Sequence, residues 1–253
     1  KPNPILLNQL SNIFIMSKKW STDNFVVAPQ NWDAGQETFS ATNALGTGPF
    51  KITLREPNTK TVFKKNGKWW GNVEHNITEI QLLPIKNAAT RVAALLSGEI
   101  DLVTDAPVQD LNRISSSGGH KVESTPQMRT IFLGMDQKAD KLRTGNTGDN
   151  PFKKKEVRQA LYQAIDIEAI KKKVMRGLSE PAGIITFPGV TGYTKALDKR
   201  LPYDVDAAKK LLADAGYPNG FDVELRCPND RYVNDEAICT AVVGMLGKIG
   251  VKV

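Results

Sequence analysis

The chain has 253 residues, 40% of them hydrophobic and 24% charged, and its formal net charge is +7. This composition supports a folded core, which excludes a disordered chain, and its apolar runs are shorter than the roughly 18 residues of a membrane-spanning helix, which excludes a channel. The positive charge is scattered and lacks an accompanying stripe of base-stacking aromatic residues, so we predict no nucleic-acid partner.

The first predicted elements in chain order form a small sheet. Apolar and polar residues alternate strictly over Phe50–Leu54, which is typical of a half-buried strand. Its predicted partner strand is Thr61–Lys64, and a turn at Asn66 and Gly67 follows it. A long mixed strand over Ile77–Ile85 completes the predicted sheet.

A helix is predicted directly after this sheet. It covers Ala88–Ser97, with Asn87 as its N-cap and Gly98 where a C-cap is expected. The next predicted elements are a strand, a short helix and a further apolar strand: Ile100–Val103, Gln109–Ile114 and Thr130–Leu133. Strands and helices thus alternate, which indicates an α/β protein.

The second half of the chain is predicted to be rich in helices. It begins after the polar stretch Lys138–Asn150, which is typical of a surface loop. Helical spacing predicts helices that start near Val157, Asp166 and Asp204, and alternation predicts a strand over Phe221–Leu225. The final helix carries the most regular apolar stripe of the sequence: Ile238, Ala241, Val242, Met245, Leu246 and Ile249.

Motifs for catalysis are missing from the sequence. The histidines, His75 and His120, have no partner at a metal-ligand spacing. The sequence also contains no Gly-x-Ser-x-Gly nucleophile elbow and no phosphate-binding loop motif. We therefore predict that the protein is not an enzyme, and we assign it no catalytic residue, no metal site and no cofactor.

The polar loop before the final helix is the candidate ligand-binding segment, because α/β sheets hold ligands at the carboxyl ends of their strands. The planar guanidinium of Arg231 can bind a carboxylate through two parallel hydrogen bonds. Tyr232 can stack on a ligand or donate its hydroxyl, and Asn229 lies in the same loop. Alternatively, Arg231 pairs with Asp230 or Asp235 and holds the loop in place. Both arrangements are consistent with the sequence.

Three further residues have two interpretations each. Arg129 precedes the apolar residues Ile131–Leu133 and is either a ligand residue that faces a cleft or an exposed residue at a strand end. Cys227 and Cys239 either form one disulfide, if their compartment is oxidising, or stay as buried thiols.

Four segments together resemble one family, the extracytoplasmic solute-binding proteins of peptide-type and nickel-type ABC importers, of the family 5 type. The first two are the turn and strand Gly46–Ile52 and the segment Ala88–Asp101, in which a helix leads to a Gly-Glu-Ile-Asp strand. The other two are the helical segments Val157–Asp166 and Tyr203–Tyr217. The resemblance spans nearly the whole chain.

The resemblance implies an α/β, two-lobed, periplasmic-binding-protein-like fold of type II, the peptide-binding class. The present chain would be an incomplete, central part of it. Residues 1–126 would form part of the first lobe, with a mixed sheet and helices, and residues 127–137 would form the hinge crossover strand. Residues 138–253 would form part of the opposite, third lobe, which is rich in helices.

The resemblance also implies a function. A periplasmic protein would capture a short peptide or a peptide-like anion between two lobes and deliver it to an ABC permease in the membrane. Arg231 occupies a place similar to that of the arginine that meets the ligand carboxylate in dipeptide-binding members. The oxidising periplasm favours the disulfide between Cys227 and Cys239. The alternatives are a nickel-, opine- or sugar-type solute on the same scaffold, or a non-transport adaptor that signals through partner contact.

Overall fold

The computed structural model describes residues 3, 5–11, 13–125, 127–143, 148–229 and 231–253 of the chain. These residues belong to two compact units, Lys1–Ile85 and Lys86–Val253. Among the described residues, no helix combines the length and the apolar character that crossing a membrane requires.

The first unit begins with two short helices, α1 (Leu6–Leu10) and α2 (Lys18–Asp23). The Ser17 hydroxyl caps α2 by accepting the backbone N–H of Trp20 at 3.3 Å. Neither helix buries a residue, and each is too short to show an apolar periodicity. Sequence analysis therefore predicted neither of them.

The second part of this unit is an antiparallel sheet, as the sequence predicts. Its strands are β1 (Phe50–Glu56), β2 (Lys60–Lys65) and β3 (Glu79–Leu82), in the order β1-β2-β3. The predicted turn after β2 is present, and the side-chain amide of Asn66 holds it by donating to the carbonyl of Gly48 at 3.0 Å. The third strand is shorter than predicted.

The second unit starts with two helices around a small core. They are α3 (Ala88–Leu96) and α4 (Leu111–Ser115), and both were predicted to within a few residues. The predicted cap is confirmed, because the Asn87 Oδ1 atom accepts the N–H of Thr90 at 2.9 Å. The buried members of this core are Val92, Leu95 and Ile114.

Four helices enclose the main core of the second unit. They are α5 (Lys155–Ala164), α6 (Ile167–Ala169, continued by a π-helical turn over Ile170–Val174), α7 (Val205–Asp214) and α8 (Asp235–Gly247). Their apolar stripes meet in one cluster, in which Val157, Leu212 and Val251 are at most 1% exposed. The predicted stripe of α8 is confirmed, since its residues either lie in this cluster or pack against it.

Three of the predicted strands are absent from the described residues. Residues 100–103 and 130–133 have no ladder partner, and residues 221–225 form only one parallel bridge, between Asp222 and Lys252. A strand needs a neighbour for its backbone hydrogen bonds, and a sequence pattern cannot supply that neighbour. The residues of these segments are nevertheless used in packing, because Ile100, Leu133 and Val223 contact the cores.

A close backbone approach holds residues 221–225 against the end of α8. Gly220 and Gly250 both adopt a positive φ, of 74° and 83°. A Cβ atom on Gly220 would overlap the carbonyl group of Gly250. The N–H of Val223 then bonds to the carbonyl of Lys252 at 2.8 Å, and the N–H of Lys252 bonds to the carbonyl of Phe221 at 2.9 Å. This contact positions the loop that follows, where the candidate site lies.

Candidate ligand-binding site

A cavity of about 390 Å³ lies within the second unit, between residues 131–136, residues 223–228 and the start of α8. Side chains such as Phe132, Leu225 and Ile238 give it apolar walls, and Tyr232 brings a polar aromatic ring to it. Its charged lining consists of Asp136, Arg143, Glu224, Arg226 and Asp235. The cavity therefore combines apolar surface with charges of both signs.

Neighbouring groups contact several of the charges around this cavity. The Arg226 Nε atom lies 2.8 Å from a carboxylate oxygen of Glu224. The Asp136 carboxylate accepts the backbone N–H groups of Ala139 and Lys138, which lowers its pKa below the ordinary value, and the positive charge of Arg143 acts in the same direction. In the described part of the chain, no three His, Cys, Asp or Glu side chains are grouped so that they could hold a metal ion.

The loop between residues 227 and 235 is anchored by a buried carboxylate at its end. Asp235 is only 3% exposed, and its Oδ2 atom accepts the backbone N–H of Arg231 at 2.9 Å and that of Tyr232 at 3.3 Å. Its Oδ1 atom accepts the N–H of Glu236 at 2.9 Å. Burial alone would raise the pKa of Asp235, but these backbone donors outweigh it, so the pKa lies below its ordinary value.

Two further connections hold the same loop. A disulfide joins Cys227 to Cys239 on α8, with their Cα atoms 6.5 Å apart. Asn234, directly before α8, adopts a left-handed backbone with φ of 56°, and its side-chain amide donates to the carbonyl of Val174 at 2.8 Å. The loop is thus tied to α8 and to the π-helical turn after α6.

The structure places the candidate ligand residues in different surroundings. Tyr232 is half-buried and lines the 390 Å³ cavity. Asn229 is exposed and lines a second cavity of about 500 Å³, which shares residues such as Leu225 and Pro228 with the first. Arg231 and Arg129 are exposed and line neither of these cavities. The structure therefore brings Tyr232 and Asn229 to adjoining cavities but does not bring Arg129 or Arg231 into them.

Arg231 is held through its backbone. No ion pair joins its guanidinium to a carboxylate of the described residues, and Asp230 lies outside them. The alternative in which Asp235 pairs with the Arg231 side chain is wrong, because the Asp235 carboxylate accepts the backbone N–H of Arg231 instead. The backbone of Arg231 is thus held in place, while its side chain is exposed.

Sequence analysis missed part of the cavity lining. Residues 138–150 were predicted to be a surface loop, yet Leu142 packs against the main core and Arg143 lines the cavity. Asn150 holds this loop, since its side-chain amide donates to the carbonyls of Asp136 and Ala139 at 2.8 and 2.9 Å. The available signal was Leu142, a lone large apolar side chain within a polar run.

Known proteins resemble this chain in sequence. The chain is 28% identical over 226 residues to "Heme-binding protein A" of Haemophilus influenzae, a match that covers 87% of the chain and 38% of that protein. It is 25% identical over 208 residues to "Glutathione-binding protein GsiB" of Escherichia coli strain K12, which covers 82% of the chain and 38% of that protein. The chain thus spans well under half the length of these relatives.

A solved structure resembles the chain in fold. It is the ABC transporter-associated periplasmic binding protein DppA from Helicobacter pylori in complex with the peptide STSA, with a TM-score of 0.78 and 24% sequence identity. The match covers 94% of the chain and 42% of DppA. It confirms the predicted fold class, the α/β fold of two-lobed periplasmic binding proteins, of which the chain is a part.

The whole chain also matches a family model. The model is described as "Bacterial extracellular solute-binding proteins, family 5 Middle", and it matches residues 1–253. The family resemblance drawn from four sequence segments is thereby confirmed. The chain belongs to family 5 of the bacterial extracellular solute-binding proteins.

Proposed function

We propose that the full-length protein is the solute-binding component of an ABC importer, which captures a short peptide or peptide-like anion and delivers it to a membrane permease. Its place of action would be the periplasm. Membership of a solute-binding family supports this function. A peptide ligand is supported by the DppA structure, which holds a peptide, and by GsiB, which is named a glutathione-binding protein.

The observation that carries this proposal is the exposed guanidinium of Arg231 on a firmly held loop. Its backbone is fixed by Asp235, and the disulfide between Cys227 and Cys239 closes the same segment. Such a group binds a carboxylate through two charge-assisted hydrogen bonds. We assign Arg231 to the ligand carboxylate and Tyr232, beside it, to an aromatic or hydroxyl contact.

Two further residues complete the proposed ligand contacts. The amide of Asn229 can donate to or accept from a peptide backbone. Arg129 lies in residues 127–137, the proposed hinge crossover between residues 1–126 of one lobe and residues 138–253 of the other. Closure of such lobes around a ligand would bring groups on both sides of the hinge to it and remove water from their hydrogen bonds.

Replacing Arg231 by alanine in the full-length protein tests the assignment. If lobe closure buries the pair, the change should weaken binding of the peptide Ser-Thr-Ser-Ala by about 2–5 kcal/mol, because the ligand carboxylate is then left buried without its partner. Isothermal titration calorimetry measures this loss. Arg113→Ala is the matched control, since Arg113 is an exposed arginine of α4 that contacts Asp110. Unchanged affinity in the Arg231 variant would contradict the assignment.

A ligand screen tests the solute class. A ligand that binds only the folded protein raises its unfolding temperature, and the rise grows with the ratio of ligand concentration to dissociation constant, so thermal shifts with Ser-Thr-Ser-Ala, glutathione and hemin compare the classes directly. Hemin is the rival probe because the relative from H. influenzae is named a heme-binding protein. A shift with hemin alone would overturn the peptide proposal.

A further inference from the structure

The Asp235 carboxylate differs from the other helix-capping side chains of the second unit. Asn87, Asp166 and Asp204 each precede a helix and accept an N–H group from three residues further along that helix, all at 2.9 Å. Asp235 is already the first residue of α8, and its Oδ2 atom turns backward to N–H groups four and three residues earlier. Two of its three accepted hydrogen bonds therefore serve the loop before the helix.

The residue at the usual capping position makes a different contact. Asn234 directly precedes α8, but its side chain caps none of the helix N–H groups. It donates instead to the carbonyl of Val174, 60 residues earlier in the chain. Asp235 is thus the side chain that accepts N–H groups at this end of α8, both from the helix residue Glu236 and from the backbone of the preceding loop.

The position of Asp235 explains why this arrangement is strong. The side chain is 3% exposed, so water does not compete for its oxygens. Its pKa lies below the ordinary value, so the carboxylate is ionised at neutral pH and accepts charge-assisted hydrogen bonds. The two loop residues that it holds are Arg231 and Tyr232, the pair assigned to the ligand.

We infer that Asp235 is a positioning residue of the binding site: it fixes the backbone of Arg231 and Tyr232 so that their side chains meet the ligand without first being ordered. The inference rests on the proposed function, because it takes Arg231 as the partner of the ligand carboxylate. A segment ordered in advance binds more tightly, since the cost of immobilising it is met before the ligand arrives.

The test uses Asp235→Ala in the full-length protein, with Asp204→Ala as the matched control. Both changes remove a carboxylate at the start of a helix of the second unit, but only Asp235 contacts the loop. Amide hydrogen exchange without ligand should be about tenfold or more faster at Arg231 and Tyr232 in the Asp235 variant. It should be unchanged at these two amides in the Asp204 variant.

Calorimetry then separates positioning from folding. Asp235→Ala should weaken binding of Ser-Thr-Ser-Ala by about tenfold, while the C-terminal carboxamide of the same peptide should lose clearly less affinity, because it lacks the carboxylate that Arg231 binds and keeps only the contact with Tyr232. The double variant with Arg231→Ala should lose less affinity than the sum of the two single losses, because the part of the positioning that acts through Arg231 is then already gone. Should Asp235→Ala not fold, Asp235→Asn retains one accepting oxygen and should show the same pattern with smaller changes.

The outcomes distinguish this inference from the proposed function. If Arg231→Ala weakens peptide binding and Asp235→Ala does not, the positioning role is wrong and the proposed function stands. If Asp235→Ala weakens the carboxylate and carboxamide peptides equally, its role is only structural. If the wild type binds neither Ser-Thr-Ser-Ala nor glutathione, or Arg231→Ala binds like the wild type, the Arg231 assignment fails and the positioning role fails with it.

Discussion

In the unit Lys1–Ile85, the side chains of Phe14, Ile15 and Phe25 are 84%, 98% and 91% exposed, whereas in the unit Lys86–Val253 those of Val157 and Leu212 are 0% and 1% exposed. Within the described part of the first unit, Val62 is the one buried hydrophobic side chain. Both units contain many apolar residues, but only the second buries a large share of them. Buried apolar area contributes about 25 cal/mol per Å², so the second unit should hold most of the stability.

The comparison bears on the candidate site. The loop with Asn229, Arg231 and Tyr232 belongs to the stable second unit, and the disulfide and Asp235 connect it to α8, whose buried residues lie in the main core. A binding group on a rigid support keeps its geometry better than one on a mobile segment. Because the second unit has the larger buried core, its loop residues can be ordered before the ligand binds.

The aromatic residues allow the two units to be followed separately. All 4 tryptophans lie before residue 86, and all 5 tyrosines lie after it. Tryptophan fluorescence therefore reports on the first unit. Far-UV circular dichroism reports mainly on the second unit, which contains the longest helices.

The largest effect is expected from a change in the main core. Leu212→Ala should lower the free energy of unfolding by about 2–5 kcal/mol, because it leaves a cavity among packed side chains. Denaturant unfolding followed by circular dichroism measures this loss. Ile15→Ala is the control, and its effect should stay within about 0.5 kcal/mol, since Ile15 is 98% exposed. Equal losses of unfolding free energy in the two variants would contradict the conclusion that the second unit holds most of the stability.

Removing the disulfide should have the next largest effect. The double change Cys227→Ser and Cys239→Ser should cost about 2–4 kcal/mol, because the bond closes a loop with a sequence separation of 12 and thereby restricts the unfolded chain. The wild type with a reducing agent should lose a similar amount. The circular dichroism midpoint should move and the tryptophan midpoint should not. Equal movement of both midpoints would show that the units unfold together.

Helix caps should give smaller effects that differ between the units. Asp204→Ala should cost about 1 kcal/mol, because Asp204 accepts the N–H of Ala207 at 2.9 Å at the start of a helix with buried residues. Ser17→Ala should cost less, since its bond to the N–H of Trp20 is 3.3 Å long and α2 buries no residue. The first change is measured by circular dichroism and the second by tryptophan fluorescence. A larger loss in the Ser17 variant would contradict the ranking.

The smallest effect should depend on pH. The pKa of Asp235 is lower in the folded protein than the ordinary value of 3.8, so its ionised form stabilises the fold. This stabilisation should be complete above that value and should be lost as the pH falls through the lower folded pKa. The quantity to measure is the difference in unfolding free energy between the wild type and Asp235→Ala in acid titrations. If this difference grew as the pH fell, it would contradict a lowered pKa of Asp235 in the folded protein.

Helices were the part of the fold that sequence analysis predicted best. The stripes of α5, α7 and α8 repeat within the chain at helical spacing, and the caps at Asn87 and Asp204 form bonds to residues three positions away. Such signals are local, so they are visible without knowledge of any other segment. The short α1 and α2 lack them and were missed.

Strands were predicted less well for the opposite reason. The sheet β1-β2-β3 was found because β1 shows strict alternation and only residues 57–59 separate it from β2. Residues 130–133 and 221–225 show similar apolar patterns but form no ladder among the described residues. Whether an apolar run pairs as a strand depends on a partner elsewhere in the chain.

The sequence by itself determined the family, the main helices and the loop that carries Asn229, Arg231 and Tyr232. Only the tertiary structure decided that Leu142 packs into the core, and that Asp235 binds the backbone of Arg231 instead of its side chain. Composition and spacing describe neighbours along the chain. The direction in which a buried carboxylate turns depends on which N–H groups the folded backbone leaves without another acceptor, and folding alone brings those groups within its reach.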